Sequence, residues 1–223
     1  MRKTLIAIDG LDGSGKRTQT ELLIEYMKKN GIEHRYLSFP TYDKSYSYYV
    51  NMYLSGVFGE NPETVNAYAA SSFFAADRYC SYMLDWKKDY DEGKIIVANR
   101  YTTANAVHQL SKLSESEYDT FLDWLYDYEF TKLGLPKPDA VIYLSLPPAL
   151  SHNMVDKRCA ETGAIKDIHE KSVSFTEKSY KAVLYSSAKL GWHRIDCNTG
   201  DKMRPINEIQ EEIVRCLKEN SIL

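Results

Sequence analysis

A glycine-rich loop that carries a lysine is the part of this sequence whose residue types most clearly predict chemistry. Residues 10–16 fit the pattern G-x-x-x-x-G-K and lie between a short apolar run and a stretch of helical periodicity. The glycines let backbone N–H groups turn inward around an anion, and the start of the following helix adds its dipole. Lys16 can then reach the terminal phosphates of a nucleotide. The loop therefore predicts a nucleotide site, the alternative being a tight turn that binds no ligand.

One position departs from this pattern. The phosphate-binding motif places Ser or Thr directly after the lysine, where its hydroxyl ligates Mg²⁺, but this sequence has Arg17. Thr18 is turned by about 100° further around the helix and does not simply replace that hydroxyl. Two interpretations stay open: Arg17 supplies positive charge in place of the metal contact, or the protein binds nucleotide and processes it poorly. The residues that we expect to contact the phosphates are Gly10, Leu11, Asp12, Gly13, Ser14, Gly15, Lys16, Arg17 and Thr18.

Apolar runs and helical stretches alternate along the chain and must position this loop. The runs predict strands at residues 4–8, 34–38, 94–98, 140–144 and 192–195. The stretches with helical periodicity are residues 16–29, 62–90, 114–130, 174–189 and 206–218. Such alternation predicts an α/β fold with a parallel sheet and helices on both faces. Ligands in this class bind at the carboxyl ends of the strands, so we expect functional residues directly after each run.

Composition and charge exclude several classes of protein. The 223 residues carry a net charge of −3, so the basic surface of a protein that binds duplex nucleic acid is missing. No apolar run approaches the roughly 18 residues of a membrane span, and the first one is too short for a signal peptide. Four cysteines lie far apart without zinc spacing, which is typical of free thiols in a reducing compartment. We expect a single cytoplasmic domain over residues 1–223 that binds neither nucleic acid nor membrane.

Four segments of the chain together resemble the thymidylate kinase family. Residues 9–16 resemble the start of these enzymes, and residues 73–78 resemble the family's F-x-x-x-R element, which binds the nucleobase. Residues 99–101, Asn-Arg-Tyr, stand where the family has D-R-Y, and residues 134–139 match its G-L-P-K-P-D. The four segments follow the order and spacing of the family over essentially the whole chain.

This resemblance implies a three-layer P-loop nucleoside monophosphate kinase fold, with a five-stranded parallel sheet and a short lid at about residues 157–171. It also implies that the γ-phosphoryl group of ATP is transferred to dTMP with Mg²⁺ present, and that the protein is a homodimer. The lid would exclude water from the reacting phosphates. A kinase for another nucleotide or for a deoxynucleoside remains an alternative, as does a nucleotide-binding protein with impaired catalysis.

On the base side, the resemblance assigns roles to four residues. Phe74 would stack on thymine, and Arg78, one helical turn further, would hydrogen-bond the base O4 atom. Asn105 would read the N3 edge, and His108 would limit the space near the sugar 2′ position. The alternatives are a core phenylalanine, a surface ion pair of the arginine with Asp77, a helix cap for the asparagine and an ordinary polar contact for the histidine.

On the phosphate side, the resemblance implies that the sugar and phosphate of the acceptor contact Asp12, Phe39, Tyr42 and Arg100. Within this group, Asp12 would hold the sugar 3′-hydroxyl. Arg100 would clamp the acceptor phosphate and the charge that develops during transfer. Arg158 in the lid is the first candidate for stabilising the transferred phosphoryl group, and Arg17, directly after the glycine-rich loop, is the second.

The chain departs from the family at three positions: Arg17 replaces a hydroxyl, Asn99 replaces an acid and Thr41 replaces an arginine. The first two lie where the family contacts the metal, and Asp9 remains as an acid that could organise Mg²⁺ through water. Phosphoryl transfer depends mainly on positioning and positive charge, so Arg17 and Asn99 could offset one another. The expected catalytic residues are Lys16, Arg100, Asp9, Arg17 and Arg158.

Overall fold

In the computed structural model, which describes residues 2–223, a parallel sheet of five strands forms the centre of the protein, in the order β2-β3-β1-β4-β5. The strands are β1 (Thr4–Gly10), β2 (His34–Ser38), β3 (Ile95–Asn99), β4 (Ala140–Ser145) and β5 (His193–Asp196). A small antiparallel pair follows, β6 (Asn198–Thr199) and β7 (Lys202–Met203). The predicted fold class and the five strands are therefore confirmed, with ends that differ by one or two residues.

The register of the sheet places two functional segments side by side. Ile8 of β1 lies opposite Asn99 at the end of β3, and the Arg100 N–H donates to the Ile8 carbonyl at 2.9 Å. β1 continues for two more residues, to Gly10, along its other neighbour β4. The glycine-rich loop and Arg100 consequently leave the sheet at the same edge, where parallel α/β proteins bind ligands.

Ten α-helices within residues 2–223 flank the sheet and connect its strands. They are α1 (Lys16–Lys29), α2 (Tyr48–Leu54), α3 (Ala67–Ser81), α4 (Lys87–Asp91), α5 (Thr102–His108), α6 (Tyr118–Tyr126), α7 (Pro148–Thr162), α8 (Ile168–Lys171), α9 (Val173–Leu190) and α10 (Ile206–Glu219). π-helical turns continue α3 at Tyr82–Trp86 and α6 at Asp127–Lys132. The helix expected from residue 62 begins only at Ala67, because the Asn66 side chain caps it by accepting from the Ala69 N–H at 2.8 Å.

Alternate side chains of β1 face two different hydrophobic cores. Leu5 and Ala7 belong to the core under α5, α6 and α9, and Ile6 and Ile8 belong to the core under α1 and α10. All four are fully buried, as the period-two geometry of a strand between two helical layers requires. Each buried Ile or Leu stabilises the fold by roughly 1.5–3 kcal/mol, so the strand that carries the loop is firmly anchored.

Among residues 2–223, no helix combines the length and the apolar character needed to cross a membrane. The four cysteines, Cys80, Cys159, Cys197 and Cys216, all have free thiols.

Candidate active site

The glycine-rich loop wraps around its own lysine. The Lys16 ammonium donates to the Gly10 and Leu11 carbonyls, both at 2.8 Å, and lies 3.4 Å from the Asp12 carboxylate. Gly15 caps α1 with a φ of 87°, and a side chain added there would meet no atom within 4 Å. The backbone at Gly15 is therefore open on the side where a side chain would lie.

The first turn of α1 is free to bind an anion. Across the described residues 2–223, no side chain caps this helix, and its first turn carries no acid. Its initial N–H groups therefore keep their hydrogen-bonding capacity, and the helix dipole favours negative charge there. The Ser14 hydroxyl in the same loop is buried and has no hydrogen-bond partner in the described part of the chain. These unsatisfied donors fit the phosphates of a nucleotide.

The charges around Lys16 depend on one another. Burial, together with the neighbouring Arg100, lowers the pKa of Lys16 to about 8, and Asp12 and Asp9 oppose that shift. Burial alone would raise the pKa of Asp12, but Arg100 and Lys16 outweigh it and hold that pKa well below its usual range. The site thus keeps a carboxylate between two cations, and added phosphates would favour the charged form of the lysine.

Arg100 contacts both the glycine-rich loop and His108 of α5. Its Nη2 donates to Asp12 Oδ1 at 2.6 Å, and its Nη1 lies 3.4 Å from Asp9 Oδ1 and 3.0 Å from His108 Nε2. Its backbone φ of 64° lies in the left-handed region, which costs a residue other than glycine about 1–3 kcal/mol. The surrounding contacts maintain this strained conformation, which aims the guanidinium at the loop.

His108 is held as a neutral ring with a defined tautomer. Arginine can only donate, so the His108 Nε2 atom accepts from Arg100 and the ring proton resides on Nδ1, which faces the Ser179 hydroxyl at 3.4 Å. Burial and then Arg100 lower the pKa of His108 well below its ordinary value. The ring stacks on Phe175 of α9, with centroids 6.1 Å apart. His108 is therefore fixed next to Arg100 by contacts at both ring nitrogens and by the stacked Phe175 ring.

The base-side residues lie together on one wall, although two of them have partners that the sequence does not suggest. Arg78 is only 2% exposed and forms a two-pronged ion pair with Glu129, in which Nε donates to Oε2 at 2.7 Å. Asn105 lies inside α5, and its amide nitrogen donates to the Ser71 carbonyl and to Glu129, both at 3.3 Å. The surface ion pair and the helix cap are therefore wrong as alternatives. Phe74 is partly exposed and lines the cavity.

The Asp77 carboxylate accepts hydrogen bonds from Thr41, the residue that replaces an arginine of the family. The Thr41 hydroxyl donates to Asp77 Oδ1 at 2.6 Å, and the Thr41 N–H donates to Oδ2 at 3.2 Å. Ser47 also donates to this carboxylate. Thr41 is thus turned towards α3, while Phe39 and Tyr42 on either side of it line the cavity.

An open cavity of about 190 Å³ joins these parts. Nine of the residues expected from the sequence line it: Asp12, Phe39, Tyr42, Phe74, Arg78, Arg100, Asn105, His108 and Arg158. Sequence reasoning missed five polar or aromatic lining residues, namely Tyr101, Gln109, Asp167, His169 and Glu170. Tyr101 directly follows Arg100, and the last three fall inside the expected lid, so position alone could have indicated them.

Nine expected residues are not among those that line this cavity, and six of them form the glycine-rich loop: Gly10, Leu11, Gly13, Ser14, Gly15 and Lys16. The other three, Arg17, Thr18 and Asp9, lie outside the loop. Arg17 has 83% of its side chain exposed and pairs with Glu21 one turn along α1, at 2.9 Å. Thr18 is also exposed. Asp9 is fully buried beside the cavity, where it accepts from the Gly10 N–H at 2.8 Å and from the Thr103 hydroxyl at 2.6 Å. The structure therefore places Arg17 and Thr18 on the outer surface of the first helical turn.

The expected lid consists of the end of α7, a short connection and α8. Gly163 ends α7 with a φ of 70°, and Asp167 caps α8 by accepting from the His169 N–H at 2.8 Å. Arg158 donates to Glu170 at 2.7 Å across this segment. Burial, followed by the charge of Asp12, raises the pKa of Asp167 to about 6. This segment thus brings one cation, Arg158, and two acids, Asp167 and Glu170, to the cavity.

The residues next to the loop fit an Mg²⁺ ion that is bound mainly by the phosphates of a nucleotide. Residues 2–223 contain no group of three or more His, Cys, Asp or Glu side chains that could hold a metal ion. Asn99 donates to the Ser38 hydroxyl at 3.3 Å, and its Oδ1 atom is buried without a donor in the described part of the chain. This orphaned oxygen and Asp9 are acceptors suited to water molecules, and Mg²⁺ commonly keeps its waters when it binds through phosphates.

Comparison with known proteins agrees with this geometry. The sequence pattern of the family described as thymidylate kinase matches residues 8–213. The thymidylate kinase of Mycobacterium tuberculosis is 29% identical over 192 residues, which covers 84% of this chain and 87% of the relative. The human thymidylate kinase is 26% identical over 223 residues, covering 99% and 92%. The structure of thymidylate kinase from Candida albicans shares the fold, with a TM-score of 0.70 and 20% identity over 99% of this chain and 93% of that one. The chain therefore belongs to the thymidylate kinase family, the nucleoside monophosphate kinases that phosphorylate dTMP with ATP.

Proposed function

We propose that this chain transfers the γ-phosphoryl group of ATP to dTMP in the cavity described above, giving ADP and dTDP. The observation that carries the proposal is the cluster of Lys16, Asp12 and Arg100. Asp12 contacts Lys16 at 3.4 Å and Arg100 at 2.6 Å, and Arg100 lies 3.0 Å from His108 on the base side. A donor on the loop and an acceptor on the wall would meet at this cluster.

On the donor side, the loop and the start of α1 bind the phosphates of ATP. When ATP binds, Lys16 gives up its hydrogen bonds to the Gly10 and Leu11 carbonyls. It then donates to the negatively charged β- and γ-phosphates instead. The free N–H groups of the first helical turn hold the phosphate oxygens. Arg17, exposed beside that turn, contributes positive charge from outside.

On the acceptor side, the wall and the segment of residues 39–42 hold dTMP. Phe74 stacks on thymine, Arg78 donates to O4, and Asn105 accepts from N3–H. Phe39 and Tyr42 lie along the phosphate side. These contacts present one 5′-phosphate oxygen of dTMP to the γ-phosphorus of ATP.

During transfer, that oxygen forms a bond to the γ-phosphorus while the bond from the γ-phosphorus to the β–γ bridging oxygen breaks. The bridging oxygen leaves with ADP, and its negative charge develops next to Lys16. Arg100 stabilises the charge on the transferred group from the acceptor side, and Arg158 does so from the lid. Closure of residues 157–171 excludes water, which would otherwise accept the phosphoryl group.

Mg²⁺ bound together with ATP would supply charge neutralisation at the phosphates. Asn99 and Asp9 would hold its water shell through their oxygen atoms. Asn99 thus keeps an acceptor, although not a charge, at the position where the family has an acid.

The experiment that tests this function is a panel of acceptors incubated with Mg·ATP and the purified protein. We expect dTMP to give dTDP, and dUMP, UMP, CMP, dCMP, GMP, AMP and thymidine to give less product or none. Chromatography separates phosphorylated acceptors from ADP formed by hydrolysis. Selective product from another acceptor would refute the assignment of dTMP. Ligand-induced stabilisation without any product would support a nucleotide-binding protein that has lost catalysis, as the departures at Arg17 and Asn99 would allow.

We also propose that the protein is a homodimer that works in the cytoplasm as one domain over residues 1–223. The dimer is supported by apolar side chains exposed along α3 and its π-helical extension: Tyr68, Tyr79, Met83 and Leu84. Free thiols at all four cysteines fit a reducing compartment, and one continuous sheet fits one domain. Sedimentation analysis tests the dimer: Leu84→Lys should shift the wild-type dimer towards monomer, and a wild-type monomer would refute it.

A further inference from the structure

A buried acid behind the base wall has no part in the scheme above. Glu129 is fully buried and lies in the π-helical turn Asp127–Lys132, outside the lining of the cavity. Its two oxygens accept four hydrogen bonds, two from Arg78, one from Asn105 and one from the Thr102 hydroxyl at 2.6 Å. A carboxylate that accepts at both oxygens determines the direction in which all of these donors point.

The first consequence concerns Arg78. Glu129 accepts hydrogen bonds from Arg78 Nε and Nη2, and the Tyr101 carbonyl accepts one from Nη1 at 3.4 Å. A guanidinium has five N–H groups and no acceptor, so two N–H groups remain after these three contacts. Arg78 therefore offers the cavity hydrogen-bond donors only, in a direction that Glu129 fixes.

The second consequence concerns Asn105, whose side chain could offer either a donor or an acceptor. Its amide nitrogen faces the Ser71 carbonyl and Glu129 Oε1, each at 3.3 Å. The opposite orientation would bring the amide oxygen against two acceptors, which is unfavourable in a buried site. Glu129 therefore holds the amide so that Oδ1 is left for the cavity.

We propose that Glu129 is a positioning residue that sets the hydrogen-bond polarity of the base wall, with a donor at Arg78 and an acceptor at Asn105. This polarity accepts a base edge that has a carbonyl beside a ring N–H, as thymine and uracil do. It rejects an edge that has an amino group beside an unprotonated ring nitrogen, as cytosine does. The inference rests on the proposed function for the identity of the acceptor, dTMP, but it makes a claim about binding that does not require turnover.

The test is Glu129→Gln, because no orientation of a glutamine amide can accept all four hydrogen bonds. We would measure Kd by calorimetry and kcat/KM for dTMP and for dCMP. We expect the preference for dTMP over dCMP to fall at least about tenfold in both quantities, because a glutamine N–H can donate to Asn105 Oδ1 and only the Ser71 carbonyl then opposes turning the Asn105 nitrogen to the cavity. Asp127→Asn is the matched control: it makes the same chemical change in the same π-helical turn, on an exposed side chain paired with Lys132, and should leave the preference unchanged.

A second variant, Glu129→Asp, keeps acceptors at both oxygens but is one methylene shorter and cannot reach Arg78 and Asn105 together. Its preference for dTMP should lie between the wild type and Glu129→Gln, and it decides the matter if the glutamine variant does not fold. An unchanged preference in the folded variants, even with weaker binding of both nucleotides, would overturn the proposal and leave Glu129 a purely structural role. Equal affinity of the wild-type protein for dTMP and dCMP would also overturn it. A wild-type protein that binds dTMP selectively but transfers nothing would refute the proposed function and leave the role of Glu129 intact.

Discussion

Replacement of Arg100 should lower both the stability of the protein and the rate of phosphoryl transfer, and the two effects can be measured separately. The Arg100→Met variant leaves Asp12 and Asp9 without the guanidinium that contacts them at 2.6 Å and 3.4 Å. Removing one partner of a buried ion pair costs about 3–5 kcal/mol. The side chains of Arg100 and Asp12 are 16% and 25% exposed, so water compensates part of the loss. We expect the free energy of unfolding to fall by about 2–3 kcal/mol.

The effect on transfer should be larger than the effect on stability. Arginines that stabilise phosphoryl transfer contribute 10³–10⁵ in rate in other systems. Arg100 also binds the acceptor phosphate before transfer, so we expect the low end, about a 10³-fold loss of kcat in Arg100→Met. Arg100→Lys should lose about 10²-fold, because lysine keeps the charge but not the fork of N–H groups. Both variants place a residue other than glycine at a φ of 64°, so backbone strain does not explain a difference in rate between them.

The assay combines initial rates of dTDP formation at saturating substrates with calorimetric binding of ATP and thermal unfolding. ATP affinity should change less than about threefold, because Lys16 and the start of α1 hold the donor. Arg194→Met is the control, since Arg194 is exposed and pairs only with Asp196 at 3.4 Å among the described residues. A folded Arg100→Met protein with kcat within threefold of the wild type would refute the assignment of Arg100 as the catalytic cation.

Three further predictions follow from the same site. In a pH–rate profile, kcat/KM for ATP should fall about tenfold per pH unit above pH 8, because Lys16 then loses its proton; a flat profile to pH 10 would contradict this. His108→Phe keeps a stacked ring but removes the acceptor for Arg100, so steady-state kinetics should show kcat about tenfold lower. ATP affinity measured by calorimetry should stay unchanged in this variant, and an unaltered kcat would count against the contact. Arg17→Ala should lower kcat less than about threefold, because its side chain is exposed; a hundredfold loss would show that Arg17 turns into the site when ATP binds.

The segments that the sequence predicted well are those in which local pattern and tertiary environment agree. β1 is a continuous apolar run because both of its faces are covered, and the loop after it has a motif that requires glycine. The same holds for the end of β3, where an arginine at the carboxyl end of a parallel strand lines the cavity. Four helices were missed. Three of them, α2, α5 and α8, span seven residues or fewer, too few for a helical period to stand out, whereas α7 spans fifteen.

Other contacts were not predicted because the paired residues lie far apart in the sequence. Arg78 lies next to Asp77 in the sequence, which suggests an ion pair, but adjacent helical residues do not face each other. Its partner is Glu129, 51 residues away, in a π-helical turn that no local pattern indicates. Conversely, Arg17 lies beside a phosphate-binding motif, and only the direction of the side chain shows that it is exposed and paired with Glu21.

The measurement that tests the central claim most directly is the ratio of dTDP to ADP formed when the wild-type protein turns over Mg·ATP with dTMP. Transfer from a donor on the Lys16 loop to an acceptor clamped by Arg100 predicts one dTDP for each ADP, with little ADP when dTMP is omitted. ADP without dTDP would mean that water is the acceptor, and the proposed coupling of the loop to the base wall through Asp12 and Arg100 would be wrong.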